Sequence, residues 1–105
     1  MMINLVTVNT DKIILLCKKY KVKEFYVFGS AVTDKFNDNS DVDFIVQFDN
    51  AKISDYFMNF MNFKEDLETL LNKPVDLIEN HAIRNPIFRK IVDRDKKIVY
   101  ERKSA

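Results

Sequence analysis

Asp41 and Asp43 stand two residues apart at the opening of an apolar run, DVDFIVQF, that reads as a strand. Successive side chains on a strand alternate between faces, so both carboxylates point one way. Val42, Phe44 and Val46 take the other face, and Ile45 shares the carboxylate face farther along. Gly29 and Ser30 end an earlier apolar strand, EFYVF, and ten residues separate Ser30 from Asp41. Gly29 is the only glycine of the chain. Without a Cβ it permits a sharp bend and lets backbone N–H groups approach a ligand closely, and Ser30 adds a hydroxyl donor. Two hard anions beside such a turn suit divalent cations and a polyphosphate.

A third carboxylate, Asp76, sits inside the short apolar stretch PVDLIE. An aspartate is costly to bury there unless it is paired or metal-bound. A plainer placement is an edge strand with one wet face. If this strand lies beside Asp41–Phe48, the three carboxylates converge. Three carboxylates around two Mg²⁺ ions would make a site for in-line displacement at phosphorus. Were the acidic pair only a strand cap, there would be no Mg²⁺-dependent polyphosphate binding. Asp41→Ala and Asp43→Ala would then be neutral or stabilising through relief of like-charge repulsion.

The remaining pattern predicts the elements that must hold these groups. Asn9, Thr10 and Asp11 offer a cap for a helix through Ile13–Cys17 that ends near Lys19–Lys21. Glu24–Phe28 is a first strand. Ala31 to about Lys35 is a short helix whose free N–H groups would favour phosphate. Phe36–Ser40 is a polar loop and Asp41–Phe48 a second strand. Ser54 caps a long helix over about Asp55–Leu71, with Phe57, Phe60, Met61, Leu67, Leu70 and Leu71 as its core stripe. Tyr56, Met58 and Phe63 fall outside that stripe. The wide apolar face is either core cover or a docking surface. Lys73-Pro74 breaks the helix before the third strand. His81 reads as a surface or capping residue. Asn85-Pro86 starts a helix whose inner face is Ile87, Ile91 and Val92, with Phe88 alongside. Lys97–Tyr100 closes as a strand, and Arg102–Ala105 is a tail. The first two strands are joined too briefly for a crossover, so they pair antiparallel, giving an α+β domain with a small mixed sheet.

The chain has 105 residues, enough for one domain spanning 1–105 with one modest core. It carries 17 Lys and Arg against 16 Asp and Glu, so it lacks the basic excess expected of direct nucleic-acid binding. One Cys and one His make neither a disulfide nor a structural zinc site. Cys17 reads as core. No apolar run approaches the length of a membrane span, and the N-terminus lacks the features of a signal peptide. A cytoplasmic location is the expectation.

Gly29-Ser30, the interval to Asp41-Val42-Asp43, and Asp76 together resemble the signature of the DNA polymerase β-like nucleotidyltransferase superfamily. The short length, Asn85–Arg89 and Val99–Glu101 resemble its minimal nucleotidyltransferase branch, which includes MNT-type antitoxins paired with all-helical HEPN toxins. The resemblance runs from about Asp11 to Glu101. It implies a nucleotidyltransferase fold with a small mixed β-sheet flanked by helices. It implies Mg²⁺-dependent transfer of AMP from ATP, a nucleoside triphosphate, to a tyrosine hydroxyl of a HEPN toxin. Asp41 and Asp43 would ligate both ions. Asp76 would ligate one and help deprotonate the acceptor, and Gly29 and Ser30 would hold the triphosphate tail. One departure stands out: Thr33 occupies the place where related minimal domains carry Arg. Threonine cannot supply a bidentate cation for phosphate. Lys35 is nearby and could compensate; Arg84 and Arg89 could also reach the site, though nothing in the sequence places them there. Two other functions fit the same residues. One is an antitoxin that blocks its partner sterically through the Tyr56–Phe63 face. The other is a nucleotidyltransferase acting on a small-molecule alcohol, alone or as a dimer.

Overall fold

The structure is a computed structural model that describes residues 3–28 and 41–102. Gly29, Ser30, the helix expected over Ala31–Lys35 and the loop expected over Phe36–Ser40 lie outside the described residues. In chain order the elements are α1 (Ile3–Val8), α2 (Thr10–Lys19), β1 (Val22–Phe28), β2 (Val42–Phe48), α3 (Tyr56–Leu71), β3 (Val75–Glu79), α4 (Pro86–Asp95) and β4 (Lys97–Glu101), with short 3₁₀ turns at Asn50–Lys52 and Asn80–Ala82.

The four strands form one sheet in the order β3-β2-β1-β4. β1 runs antiparallel to β2 and β4, and β2 runs parallel to β3. The expected α+β architecture with a small mixed sheet and an antiparallel first pair is what forms. A parallel pair needs a crossover, and α3 supplies it between β2 and β3. β2 lies inside the sheet with apolar cover on both faces, and Phe44, Ile45 and Val46 are each fully buried. An uninterrupted apolar run in place of strict alternation is what such a position selects.

The main core fills the face covered by α2 and α3. Phe25 stacks on Phe44 with ring centroids 4.5 Å apart, and Phe63 meets Phe25 edge-on at 5.3 Å. Cys17 is buried there as expected, and burial pushes its thiol up to about 12. A second, smaller cluster on the opposite face joins Ile45, Ile83 and Val92, with Tyr26, Phe28 and Ile78 against it.

Helix phases depart from expectation in two places. On α3 the buried residues are Phe63, Leu67 and Leu71, with Tyr56, Phe60 and Leu70 packed beside them, while Phe57 and Met61 are exposed. At 3.6 residues per turn, positions 56, 60, 63, 67, 70 and 71 share one side, and 57 and 61 fall about a quarter-turn or more away. On α4 only Val92 is buried, and Ile87 is 72% exposed.

The caps differ as well. Asn9 donates from Nδ2 to the Leu5 carbonyl and Thr10 from Oγ1 to the Val6 carbonyl, so both serve the end of α1 rather than the start of α2. Asp55, not Ser54, caps α3 by accepting from the Met58 N–H at 3.1 Å. Asn85 caps α4 as expected, its Oδ1 accepting from the N–H groups of Ile87 and Phe88 at 2.9 and 3.1 Å. Replacing Asn85 with Ala strands both donors. It should destabilise the protein by about 1 kcal/mol, read as a lower urea midpoint at unchanged slope.

Candidate active site

The acidic end of the sheet is built by register. Phe28, the last residue of β1, lies opposite Asp43, and Asp43 lies opposite Asp76 across the parallel pair. The Val42 N–H donates to the Pro74 carbonyl at 3.0 Å, which holds the starts of β2 and β3 level. Partners directly opposite in a sheet project to the same face. Asp43 and Asp76 therefore sit side by side, and Asp41 precedes them at the entrance to β2. Asp41 and Asp76 are exposed, and Asp43 is half-buried.

That difference in burial decides which carboxyl is perturbed. Asp43 is pushed from the ordinary 3.8 up to about 6, first by loss of water and then by the negative charges of Asp76 and Asp41. Among the described residues none of the three forms an ion pair. Among those residues, too, no three His, Cys, Asp or Glu side chains close into a ready metal cage. The carboxylates are neighbours that repel one another and have no counter-cation among the described residues. Hard oxygen donors in that condition fit a divalent ion.

The perturbed carboxyl has a thermodynamic consequence. A folded-state value above the unfolded one means that the folded protein holds the extra proton between about pH 4 and 6, so the contribution of Asp43 worsens as pH rises through that window. Asp43→Asn should therefore stabilise the chelator-treated protein at pH 7 by about 1–2 kcal/mol, after allowance for solvent screening, and should do nothing at pH 4. Melting curves in EDTA across that range test it. An equal gain at both ends would show that charge is not the cause.

The other polar candidates lie elsewhere. Arg89 is fully engaged: its guanidinium donates to Asn80 Oδ1 at 2.9 Å, to the Asn80 carbonyl at 2.6 Å and to the Ile83 carbonyl at 3.3 Å, and it pairs with Asp93 at 3.5 Å. It clamps α4 to the turn after β3 and has no free fork for phosphate. His81 pairs with Glu79 at 3.3 Å, and Glu79 also accepts from the Tyr56 hydroxyl. These groups line a half-open cleft of about 500 Å³ with Gln47, Phe48 and Asn80, at the end of β2 and β3 opposite the carboxylates. The Phe28–Phe88 ring pair, 6.0 Å between centroids and nearly perpendicular, was not foreseen as part of the acidic end. Only the register, which puts Phe28 beside Asp43, reveals it.

The mixed sheet thus carries Asp43 on an inner strand, Asp41 just before that strand and Asp76 on the parallel neighbour. Residues 11–105 match the family described as polymerase beta, nucleotidyltransferase. The chain is 36% identical to a candidate protein adenylyltransferase of Methanocaldococcus jannaschii over 77% of this chain and 80% of that one. It is 31% identical to the protein adenylyltransferase MntA of Thermococcus cleftensis over 81% of this chain and 80% of that one. Among solved structures, a candidate minimal nucleotidyltransferase superposes with a TM-score of 0.75 at 24% identity, covering 92% of this chain and 95% of that chain. The MNT-type complex of a tri-AMPylated Shewanella oneidensis HEPN toxin with its MNT antitoxin gives a TM-score of 0.62 at 22% identity, covering 97% of this chain and 74% of the matched one. This chain belongs to the polymerase β-type nucleotidyltransferase family, an enzyme family, and has the fold of its minimal members.

Proposed function

We propose that this chain transfers AMP from ATP to a tyrosine hydroxyl of a HEPN-type toxin, and that it acts as the antitoxin of that pair. The observation that carries this reading is the set of three carboxylates at one end of the sheet with no cation partner among the described residues, in a chain whose relatives are named protein adenylyltransferases. The Shewanella toxin AMPylated in complex with its MNT antitoxin supports the partner class.

In this reaction the acceptor oxygen bonds to the α-phosphorus, the bond to the β-phosphate bridge breaks, and pyrophosphate leaves. Positioning and charge neutralisation dominate such chemistry. Asp41, Asp43 and Asp76 are the residues that would hold Mg²⁺. Two bound ions would neutralise the triphosphate and ease ionisation of the acceptor. Asp76, exposed on the edge strand, is open to an incoming hydroxyl and would take its proton. Gly29 and Ser30, directly after Phe28 in the chain, would hold the triphosphate tail. Thr33 supplies no cation there, so nucleotide affinity rests more heavily on the ions. No helix among the described residues is long and apolar enough to cross a membrane.

The test uses ATP labelled on the α-phosphate, Mg²⁺, a HEPN partner and this protein. Wild type should label the partner, and the Asp41→Ala/Asp43→Ala variant should not. A second reading, neutralisation by binding alone, draws on the exposed Phe57, Met58 and Met61 of α3. It would win if both proteins silence the partner and neither labels it.

A further inference from the structure

On the far side of the sheet from α3, α4 presents an apolar surface that the proposed reaction does not yet use. Ile87 is 72% exposed, and Phe88 and Ile91 are each 37% exposed. Ile87 and Ile91 lie one turn apart on the outer side of α4, and Val92 faces inward. Lys90 flanks them on the same side, and Arg84 precedes the helix. Neither forms an ion pair among the described residues, whereas Arg89 and Arg94 are paired with Asp93 and Asp95. This surface is continuous with the acidic end: Phe88 packs edge-on against Phe28, and Phe28 lies beside Asp43.

Resting on the proposed function, we infer that the Ile87–Phe88–Ile91 face of α4 is where the acceptor protein docks. The occupant is a protein segment that presents apolar side chains to Ile87 and Ile91 and an acidic group to Lys90. Two considerations carry this. An acceptor hydroxyl must reach bonding distance of phosphorus at the carboxylates, so the body that carries it covers the adjoining surface. A uniformly solvated helix face would have no reason to set Ile beside Ile a turn apart, whereas an apolar area flanked by Lys90, which forms no ion pair among the described residues, matches an apolar segment edged with an acid.

The experiment compares wild type with Ile87→Asp/Ile91→Asp and with Lys90→Glu, all at exposed positions. It measures label transfer from ATP to a HEPN partner as a function of partner concentration, together with Mg²⁺-dependent binding of a fluorescent ATP analogue. The expected result for the double variant is a KM for partner raised at least tenfold, with analogue affinity unchanged. Lys90→Glu should raise KM severalfold and flatten its salt dependence. If wild type labels the partner and both variants do so with unchanged KM, the docking face is overturned and the adenylylation reading stands. If wild type labels no protein while still binding the ATP analogue, the adenylylation reading falls and takes the docking face with it. Loss of binding to anionic phospholipid vesicles with partner KM unchanged would also overturn the inference, by assigning the face to a membrane surface.

Discussion

Exchanging Asp43 for Asn should lower the proposed AMP transfer by on the order of 10³-fold or more while making the metal-free protein harder to unfold. The two effects share one cause. Asp43 is the central member of the three acids, between Asp76 across the sheet and Asp41 along the chain, and the only one partly withdrawn from water. Folding forces it into a place where its charge is penalised. Asn keeps the shape, removes the charge and relieves that penalty. It also halves the hard oxygen donors that Asp43 would offer to the proposed metal ions, and loss of such a ligand removes several kcal/mol of transition-state stabilisation. The opposed signs rule out misfolding as the origin of inactivity. The measurement is single-turnover label transfer beside thermal melting in EDTA. Transfer within tenfold of wild type would remove Asp43 from the catalytic assignment. Mg²⁺ should raise the melting temperature of wild type and leave that of the variant nearly unchanged.

Phe25→Ala should destabilise the protein by about 3–5 kcal/mol, a large part of the whole stability of a domain this size. Phe25 is fully buried, stacked on Phe44 and edge-on to Phe63, so it joins the central strands to α3. Removing the ring leaves a void between a sheet and a helix that cannot both close on it. Phe57→Ala supplies the contrast. That ring is 68% exposed, and its loss should change stability by no more than about 0.5 kcal/mol. Urea denaturation of the two variants side by side checks both values. Similar losses would mean that the α3 face assigned to solvent is in fact packed.

The acidic constellation was legible in the sequence because it depends on the shortest-range rule in a sheet. A period of two predicts Asp41 and Asp43 on one side of an extended strand, and β2 itself begins at Val42 with Asp41 just before it. The apolar run PVDLIE announced a strand that could stand next to them. The register that aligns Asp43 with Asp76 is a tertiary outcome, set by how the α3 crossover returns the chain. Asp76 is exposed on the edge strand rather than buried, so the metal-site inference gains nothing from the cost of burying it. Helix phase was less legible. Choosing Phe57 and Met61 for the α3 stripe weighed residue type above angular position, and apolar residues all round a helix leave type uninformative. The same holds for Ile87 and Ile91 on α4, where an apolar pair marks an outward face. Asn9 and Thr10 have side chains able to cap in either direction, and an unforeseen α1 captured them. The roles expected of Gly29 and Ser30 lie outside the described residues and remain part of the proposal.

Cys17 turns the molecule into its own reporter. It is the only thiol in the chain, it is fully buried, and burial holds it protonated at ordinary pH. A thiol reagent can reach it only when α2 leaves the sheet. The rate of modification, followed by mass, therefore counts openings of the main core without a denaturant or an added dye. The same count can be taken with nucleotide, with Mg²⁺ or with a partner protein present. Each ligand that prefers the closed molecule should slow the reaction in proportion to its occupancy.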